Sequence, residues 1–257
     1  MEILVVCLAA FITAILTFFS GFGLGTILMP VFAIFFPVEI AIALTGVVHF
    51  SNNLFKISLV GRKADKEVLL RFGIPAIIAS FAGAWLLLKI TKMPSLLEYD
   101  LWNENFVITP VKLIVAILLI IFSVLEFLPA FRKIQFNRNN LVTGGILSGF
   151  FGGLTGIQGA IRSAFLIKSG LTKEAYIATG VVIACLVDFT RLAVYSSGFK
   201  EADPGEHSTL LIAASLSAIA GAFIGNKLLT KITLRFIQVV VAIMLFLIAI
   251  ALGAGII

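Results

Sequence analysis

The chain is 257 residues long, 60% hydrophobic and only 12% charged, with a formal net charge of +6. A soluble domain carries about 25% charged residues to cover its surface, so this composition excludes one. Nor does the positive balance point to nucleic acid, because Lys and Arg sit in short loops between apolar segments and form no basic cluster interleaved with aromatics.

The first apolar stretch, residues 3–36, is interrupted at Gly21-Phe22-Gly23-Leu24-Gly25. The chain begins Met1-Glu2 without a basic leader, so 3–20 reads as a retained segment and not as a signal peptide. Uninterrupted helices are expected near 38–60, 67–90 and 107–130. Each has the roughly 20 residues needed to cross a bilayer. A linker at 131–139 follows, and residues 140–168 are interrupted in turn at Gly152-Gly153-Leu154-Thr155-Gly156-Ile157-Gln158-Gly159. Further spanning helices are expected near 173–196, 209–229 and 233–256. Cys7 and Cys185 lie inside apolar stretches, without disulfide or zinc spacing, and read as inert buried thiols.

This order repeats itself. Ala43-Leu44-Thr45-Gly46-Val47-Val48 returns as Ile177-Ala178-Thr179-Gly180-Val181-Val182, and Gly25 meets Gly159 at the same offset. Ile78-Ala79-Ser80-Phe81-Ala82-Gly83-Ala84 resembles Leu216-Ser217-Ala218-Ile219-Ala220-Gly221-Ala222, and Val115-Ala116-Ile117 resembles Val241-Ala242-Ile243. Shared order among several weak matches argues for a duplicated plan. The expected fold is an all-α polytopic membrane protein of two inverted repeats, 1–130 and 140–257, each with a Gly-broken hairpin and three full transmembrane helices.

Loop charge orients it. Arg62, Lys63, Lys66 and Arg71, then Arg132, Lys133 and Arg138 of the linker, then Lys227, Lys231 and Arg235 mark cytoplasmic loops. Residues 91–106, with Glu98, Asp100 and Glu104, and 198–208, with Glu201, Asp203 and Glu206, are poor in Lys and Arg and read as external. Both termini are then external, in a cell inner (plasma) membrane protein. Whether the hairpin arms are re-entrant or cross fully stays open, and a plain four-plus-four arrangement is the second choice.

After each glycine break a short apolar helix is expected, about 26–36 and 159–169, too short to span. Both would start near mid-membrane, with unpaired N–H groups and positive dipole ends converging on one region suited to an anion. Gly23, Gly25 and Thr26 lie at the first tip, and Thr155, Gly156, Gln158, Gly159 and Ser163 at the second. The plainer alternative is that these glycines only allow close helix packing. Arg162, one turn into the second short helix, is the sharpest candidate for substrate contact, because an intramembrane charge is expensive without a role. On helix 38–60, His49, Asn52, Asn53 and Lys56 follow a spacing of three and four and form one polar face. Interhelical hydrogen bonding, and for Lys56 snorkelling to the inner surface, are the competing readings. Asp188 and Arg191, three apart, suit a local ion pair, and Asp188 is also a place for a coupled proton. Under inversion Arg191 and Lys56 lie toward opposite mouths of the pathway.

At these residues the sequence resembles the sulfite exporter TauE/SafE family, also called TSUP. The resemblance rests on Gly21-Phe22-Gly23-Leu24-Gly25 with Met29-Pro30, the continuation from Pro37 to Thr45, the second copy from Ser148 to Gly159, and Gly170-Leu171-Thr172-Lys173-Glu174-Ala175 with Thr179-Gly180. It implies transport of small sulfur-containing anions such as sulfite or organosulfonates, usually outward, with glycines 21, 23, 25, 153, 156 and 159 near the pathway. Gln158 and Arg162 stand where the family more often has small or apolar residues, and His49 and Asn53 are not general family features.

The leading function is therefore a secondary transporter for a small anion, working by rocking of inverted halves and driven by a gradient, since no nucleotide-binding motif is present. A passive anion channel, a cation-coupled carrier and a non-catalytic membrane subunit remain alternatives; for the cation carrier Asp188 is the one good mid-membrane acid. No catalytic carboxylate pair or Ser/His/Asp grouping argues for an enzyme, and His49 and His207 are too few and too separated for a metal. No cofactor is expected. The expected partners are the anion, a coupled proton and lipid, with a homodimer left open.

Overall fold

The computed structural model describes residues 1–18, 23–101, 104–127, 136–198, 207–228 and 234–257. Gly21 and Phe22 of the first break, the loop residues Arg132, Lys133, Glu201, Asp203, Glu206 and Lys231 and the side chain of Arg235 lie outside that description.

The chain is helical throughout its apolar stretches. The first half contains α1 (Glu2–Thr17), α2 (Leu24–Ala33), α3 (Val38–Val60), α4 (Lys66–Thr91) and α5 (Pro110–Phe127). The second contains α6 (Leu141–Thr155), α7 (Gly159–Leu166), α8 (Lys173–Gly198), α9 (Ser208–Leu228) and α10 (Leu234–Gly253). Among the described residues, the stretches Val38–Lys63, Lys66–Thr91, Lys173–Gly198 and Ser208–Lys227 are long and apolar enough to cross a bilayer. Outward-facing Ile78, Phe81, Phe189 and Leu216 are each more than half exposed. Contiguous apolar surface of that kind needs lipid around it. This is an all-α polytopic membrane protein.

Local chemistry sets the helix ends. Gly23 (φ 115°) opens α2 and Gly156 (φ 79°) closes α6, left-handed conformations that glycine adopts without the Cβ penalty. With 10 and 8 residues, α2 and α7 reach about 15 and 12 Å, half or less of a bilayer core. Asp65 caps α4 by accepting from Val68 N (2.9 Å). Pro75 then leaves the carbonyl of Arg71 without its usual donor, and the helix takes a π turn over Leu69–Gly73.

One element was not expected. Leu97–Leu101 and Glu104–Ile108 pair as an antiparallel hairpin, labelled β1 and β2, inside the loop read only for its acidic charge. Tyr99 stacks on Phe106 and donates its hydroxyl to Ala254 O at the end of α10. Strand pairing takes up the residues up to Ile108, so α5 starts at Pro110 rather than near 107. Of the two cysteines, Cys185 is buried and Cys7 half-buried; both are free thiols.

The closest packing crosses between the halves. On α6, a Cβ at Gly145, Gly149 or Gly153 would run into the backbone carbonyls of Phe72, Ala76 and Ser80 on α4. Gly221 of α9 meets the Phe11 carbonyl on α1 in the same way. These are the small-residue approaches through which membrane helices pack without a hydrophobic drive. The contacts also match under exchange of the two halves. α1 packs on α9 as α6 packs on α4, α3 on α9 as α8 on α4, and α2 on α3 as α7 on α8. α3 against α8 and α5 against α10 complete the set. The result is two groups, α1–α3 with α9 and α6–α8 with α4, meeting along α3 and α8.

Candidate functional site

The two glycine breaks meet at that junction. A Cβ on Gly25 would lie 3.4 Å from the carbonyl oxygen of Gly156 and 3.7 Å from the His49 ring. Neither short helix has a side-chain cap: Gly23 precedes α2 and Gln158 precedes α7, with no capping hydrogen bond at either. Their first N–H groups therefore keep the partial positive charge of an uncapped helix start. Ser148 Oγ fixes the second tip by donating to Gln158 O (3.1 Å).

α3 supplies the polar face that its sequence spacing promised. His49 Nδ1 lies 2.6 Å from Asp188 Oδ2, across the α3–α8 junction. An ionised carboxylate only accepts, so the proton sits on Nδ1 and the ring donates. Asn53 Nδ2 donates to the same oxygen (3.3 Å). The other carboxylate oxygen receives Arg191 Nε at 3.0 Å, with Nη2 at 2.9 Å. The Asp188–Arg191 pair expected from their spacing is thus present, and His49 joins it from the other half. Asp188 and Arg191 are both 0% exposed.

On the side of this network toward the end of α3, a narrow cavity lies between the two helix groups. Its polar walls are Thr17, His49, Asn53, Lys56 and Arg162; Phe18, Leu24 and Val181 are the apolar ones. Arg162 Nη1 donates to Gln158 Oε1 (3.0 Å) and its Nε runs alongside Gly180, where a Cβ would lie 3.6 Å away. Lys56 is not at the inner surface as snorkelling would have it. It is 5% exposed, its ammonium 5.2 Å from the centre of the Phe18 ring. With the amide orientation that satisfies both ends, Asn52 accepts from Lys56 Nζ (3.2 Å) and donates to Ala218 O on α9 (3.2 Å).

Several expected residues do not face this cavity. Asn52 turns toward α9 and touches the cavity only through Lys56. Ser163 Oγ accepts from the Tyr176 hydroxyl (2.9 Å), and Thr155 Oγ1 is used locally, donating to Phe151 O (3.0 Å). Thr26 and Gly159 are buried in the first turns of α2 and α7, outside the lining. Thr17 and Phe18, which close the cavity from α1, were missed; a threonine one turn before a glycine break was the available signal.

Charge is unevenly distributed in this core. Among the described residues, the buried cations are Lys56, Arg162 and Arg191, and the one buried carboxylate is Asp188. No group of three or more potential metal ligands occurs among the described residues. The arrangement presents two positive side chains to one small polar chamber, with Leu24, the first residue of α2, in its wall.

A family model described as Sulfite exporter TauE/SafE matches residues 6–252 of the chain. Neither the curated proteins nor the solved structures contain a match.

Proposed function

We propose a working cycle for a chain that belongs to the sulfite exporter TauE/SafE family and is therefore an integral membrane transporter of sulfite or related anions, not an enzyme. Its substrate is a small oxyanion of sulfur, held in the cavity between Lys56 and Arg162 with the starts of α2 and α7 adding their dipoles. The excess of buried cations over carboxylates carries this reading. Two positive side chains side by side in a low-dielectric interior raise the local potential, and an anion between them lowers it. The same imbalance repels a cation, which argues against a cation as the main cargo.

The route is alternating access. In this cycle the cavity opens toward the residue 60 end of α3, the side on which Asn53 and Lys56 line it, while the His49–Asp188–Arg191 network and the Gly25–Gly156 contact close the other side. Basic residues 62–71 support an open side in the cytoplasm and termini outside, in the plasma membrane, for two repeats of 1–130 and 140–257. The interlocked packing of α4 with α6 and of α1 with α9 favours rocking of the two mixed groups, not of the sequence halves as units. A coupled proton would travel on the His49–Asp188 pair, whose 2.6 Å hydrogen bond bridges the two groups.

Counterflow tests the reading. Proteoliposomes preloaded with sulfite should take up labelled sulfite against its gradient, and Arg162→Gln should abolish that uptake while the protein remains monodisperse. Rapid equilibration without counterflow would indicate a passive channel, and unchanged counterflow in Arg162→Gln would remove Arg162 from the binding site.

A further inference from the structure

Among the described residues, few buried polar side-chain atoms lack a hydrogen bond, and three of those that do belong to Thr45 and Arg191 at the α3–α8 junction. The unsatisfied atoms are Thr45 Oγ1, Gln158 Nε2, Arg191 Nη1 and Arg191 Nη2, with Arg138 Nε apart near the surface. Folded proteins satisfy nearly all such groups, so a cluster of exceptions calls for a missing partner. Three of the four atoms are donors, and Thr45 can be one.

Thr45 and Arg191 lie beyond His49, on the closed side, whereas Gln158 turns its amide toward Arg162. In the antiparallel pair of α3 and α8, His49 faces Asp188. Thr45 is one turn along α3 from His49, as Arg191 is one turn along α8 from Asp188, so register places Thr45 and Arg191 together. Asp188 occupies only one edge of the guanidinium: Nε donates to Oδ1, and Nη2 approaches the same oxygen without hydrogen-bond alignment. The Nη1/Nη2 edge makes no aligned hydrogen bond; its polar neighbour is the Tyr195 hydroxyl, which itself donates to Gly153 O. The edge is covered by two glycines, since a Cβ on Gly156 would lie 2.6 Å from Nη1 and one on Gly46 3.3 Å from Nη2. Parting the helix tips by a few ångströms would uncover that edge and leave the Tyr195 hydroxyl beside it. An end-on guanidinium edge presents two parallel N–H bonds, which match two oxygens of a sulfur or phosphorus oxyanion.

We propose that Arg191 is a second anion station, used when the pathway opens on the side opposite Lys56 and Arg162, with Asp188 as the resident counter-charge on its other edge. The ligand class is the transported oxyanion, bound through the Nη1/Nη2 edge with Thr45 in support. This rests on the transport reading above and extends it from one site to two.

Neutralising the ion pair separates a binding role from a structural one. If Arg191 only balances Asp188, then Asp188→Asn/Arg191→Gln, which removes both charges, should restore at least half of the sulfite exchange, measured without a pH gradient, lost in Arg191→Gln. As an anion station, Arg191 cannot be replaced so. The double variant should still be stabilised by sulfite at the Lys56–Arg162 cavity in a thermal shift yet remain transport-inactive, and recovery of transport would overturn the proposal. Arg191→Lys gives a second reading, because it keeps the charge beside Asp188 but lacks the two-pronged edge. Its KM should rise about tenfold for sulfite offered from the closed face and stay unchanged from the cavity face. Equal KM values from both faces would overturn the proposal. Absence of any sulfite-induced shift in the unaltered protein would instead refute the underlying anion reading.

Discussion

Replacing Asp188 with Asn keeps the volume of the side chain and removes the one buried carboxylate among the described residues. The hydrogen bond from His49 Nδ1 (2.6 Å) and the Arg191 contacts (3.0 and 2.9 Å) lose their charge assistance. Arg191, 0% exposed, then stays buried with no counterion. Removing one partner of a buried pair destabilises by about 3–5 kcal/mol, against a typical fold stability of about 5–15 kcal/mol. The variant should therefore fold but melt well below the unaltered protein in detergent. The loss should be repaired from outside: with three buried cations and no carboxylate, a sulfur oxyanion becomes the missing counter-charge. A ligand at 100 times its Kd stabilises by about 2.7 kcal/mol, so saturating sulfite should recover about half of the deficit or more. The assay is a thermal melt followed by fluorescence at rising sulfite, and the sulfite-induced rise should be larger in the variant than in the unaltered protein. If the variant melted at the unaltered temperature and responded to sulfite no differently, the charge reasoning for the whole core would be wrong.

Cross-linking reports which units move. Gly46 and Leu192 face each other across the α3–α8 junction, so a disulfide between cysteines placed there should stop transport until reduced. A Cβ on Gly253 of α10 lies 3.6 Å from that of Ala116 on α5, so the pair Ala116→Cys/Gly253→Cys should oxidise readily and leave transport near its unaltered rate. Arrest by this second bridge would favour rocking of the sequence halves. His49→Gln should still exchange sulfite but lose any acceleration by an imposed pH gradient; a retained response would take the proton off the His49–Asp188 pair. Gly149→Ala puts a methyl group against the Ala76 carbonyl, and overpacking of this kind typically destabilises by about 1–3 kcal/mol. It should lower the melting temperature without changing the KM for sulfite, and a normal melt would mean that α4 and α6 are not locked.

Much of the architecture could be read from the chain itself. The spanning helix expected at 38–60 is α3 at Val38–Val60, and both glycine-broken stretches divide where their interruptions fall. Hydrophobic length and glycine chemistry are local properties, which is why they were legible. The Asp188–Arg191 pair was legible for the same reason, being three residues apart on one helix. The bond from His49 to Asp188 joins residues 139 apart, and nothing in the local pattern of either helix names the other as its partner. Lys56 illustrates the same limit. Four residues from the end of α3, it has the position of a snorkelling lysine, and the Phe18 ring beneath its ammonium belongs to a distant part of the sequence. The hairpin at 97–108 was hidden because its acidic residues spoke for an external loop, while the alternation of Leu97, Tyr99 and Leu101 carried the strand.

Selenite offers the most direct test, since it copies the charge and shape of sulfite and marks its own position by anomalous scattering. Crystals of the protein in the conformation described above, grown with selenite, should show an anomalous peak between Lys56 and Arg162, within about 3.5 Å of polar atoms of both. A fully occupied peak elsewhere, with the Lys56–Arg162 cavity left to water, would contradict the placement of the transported anion.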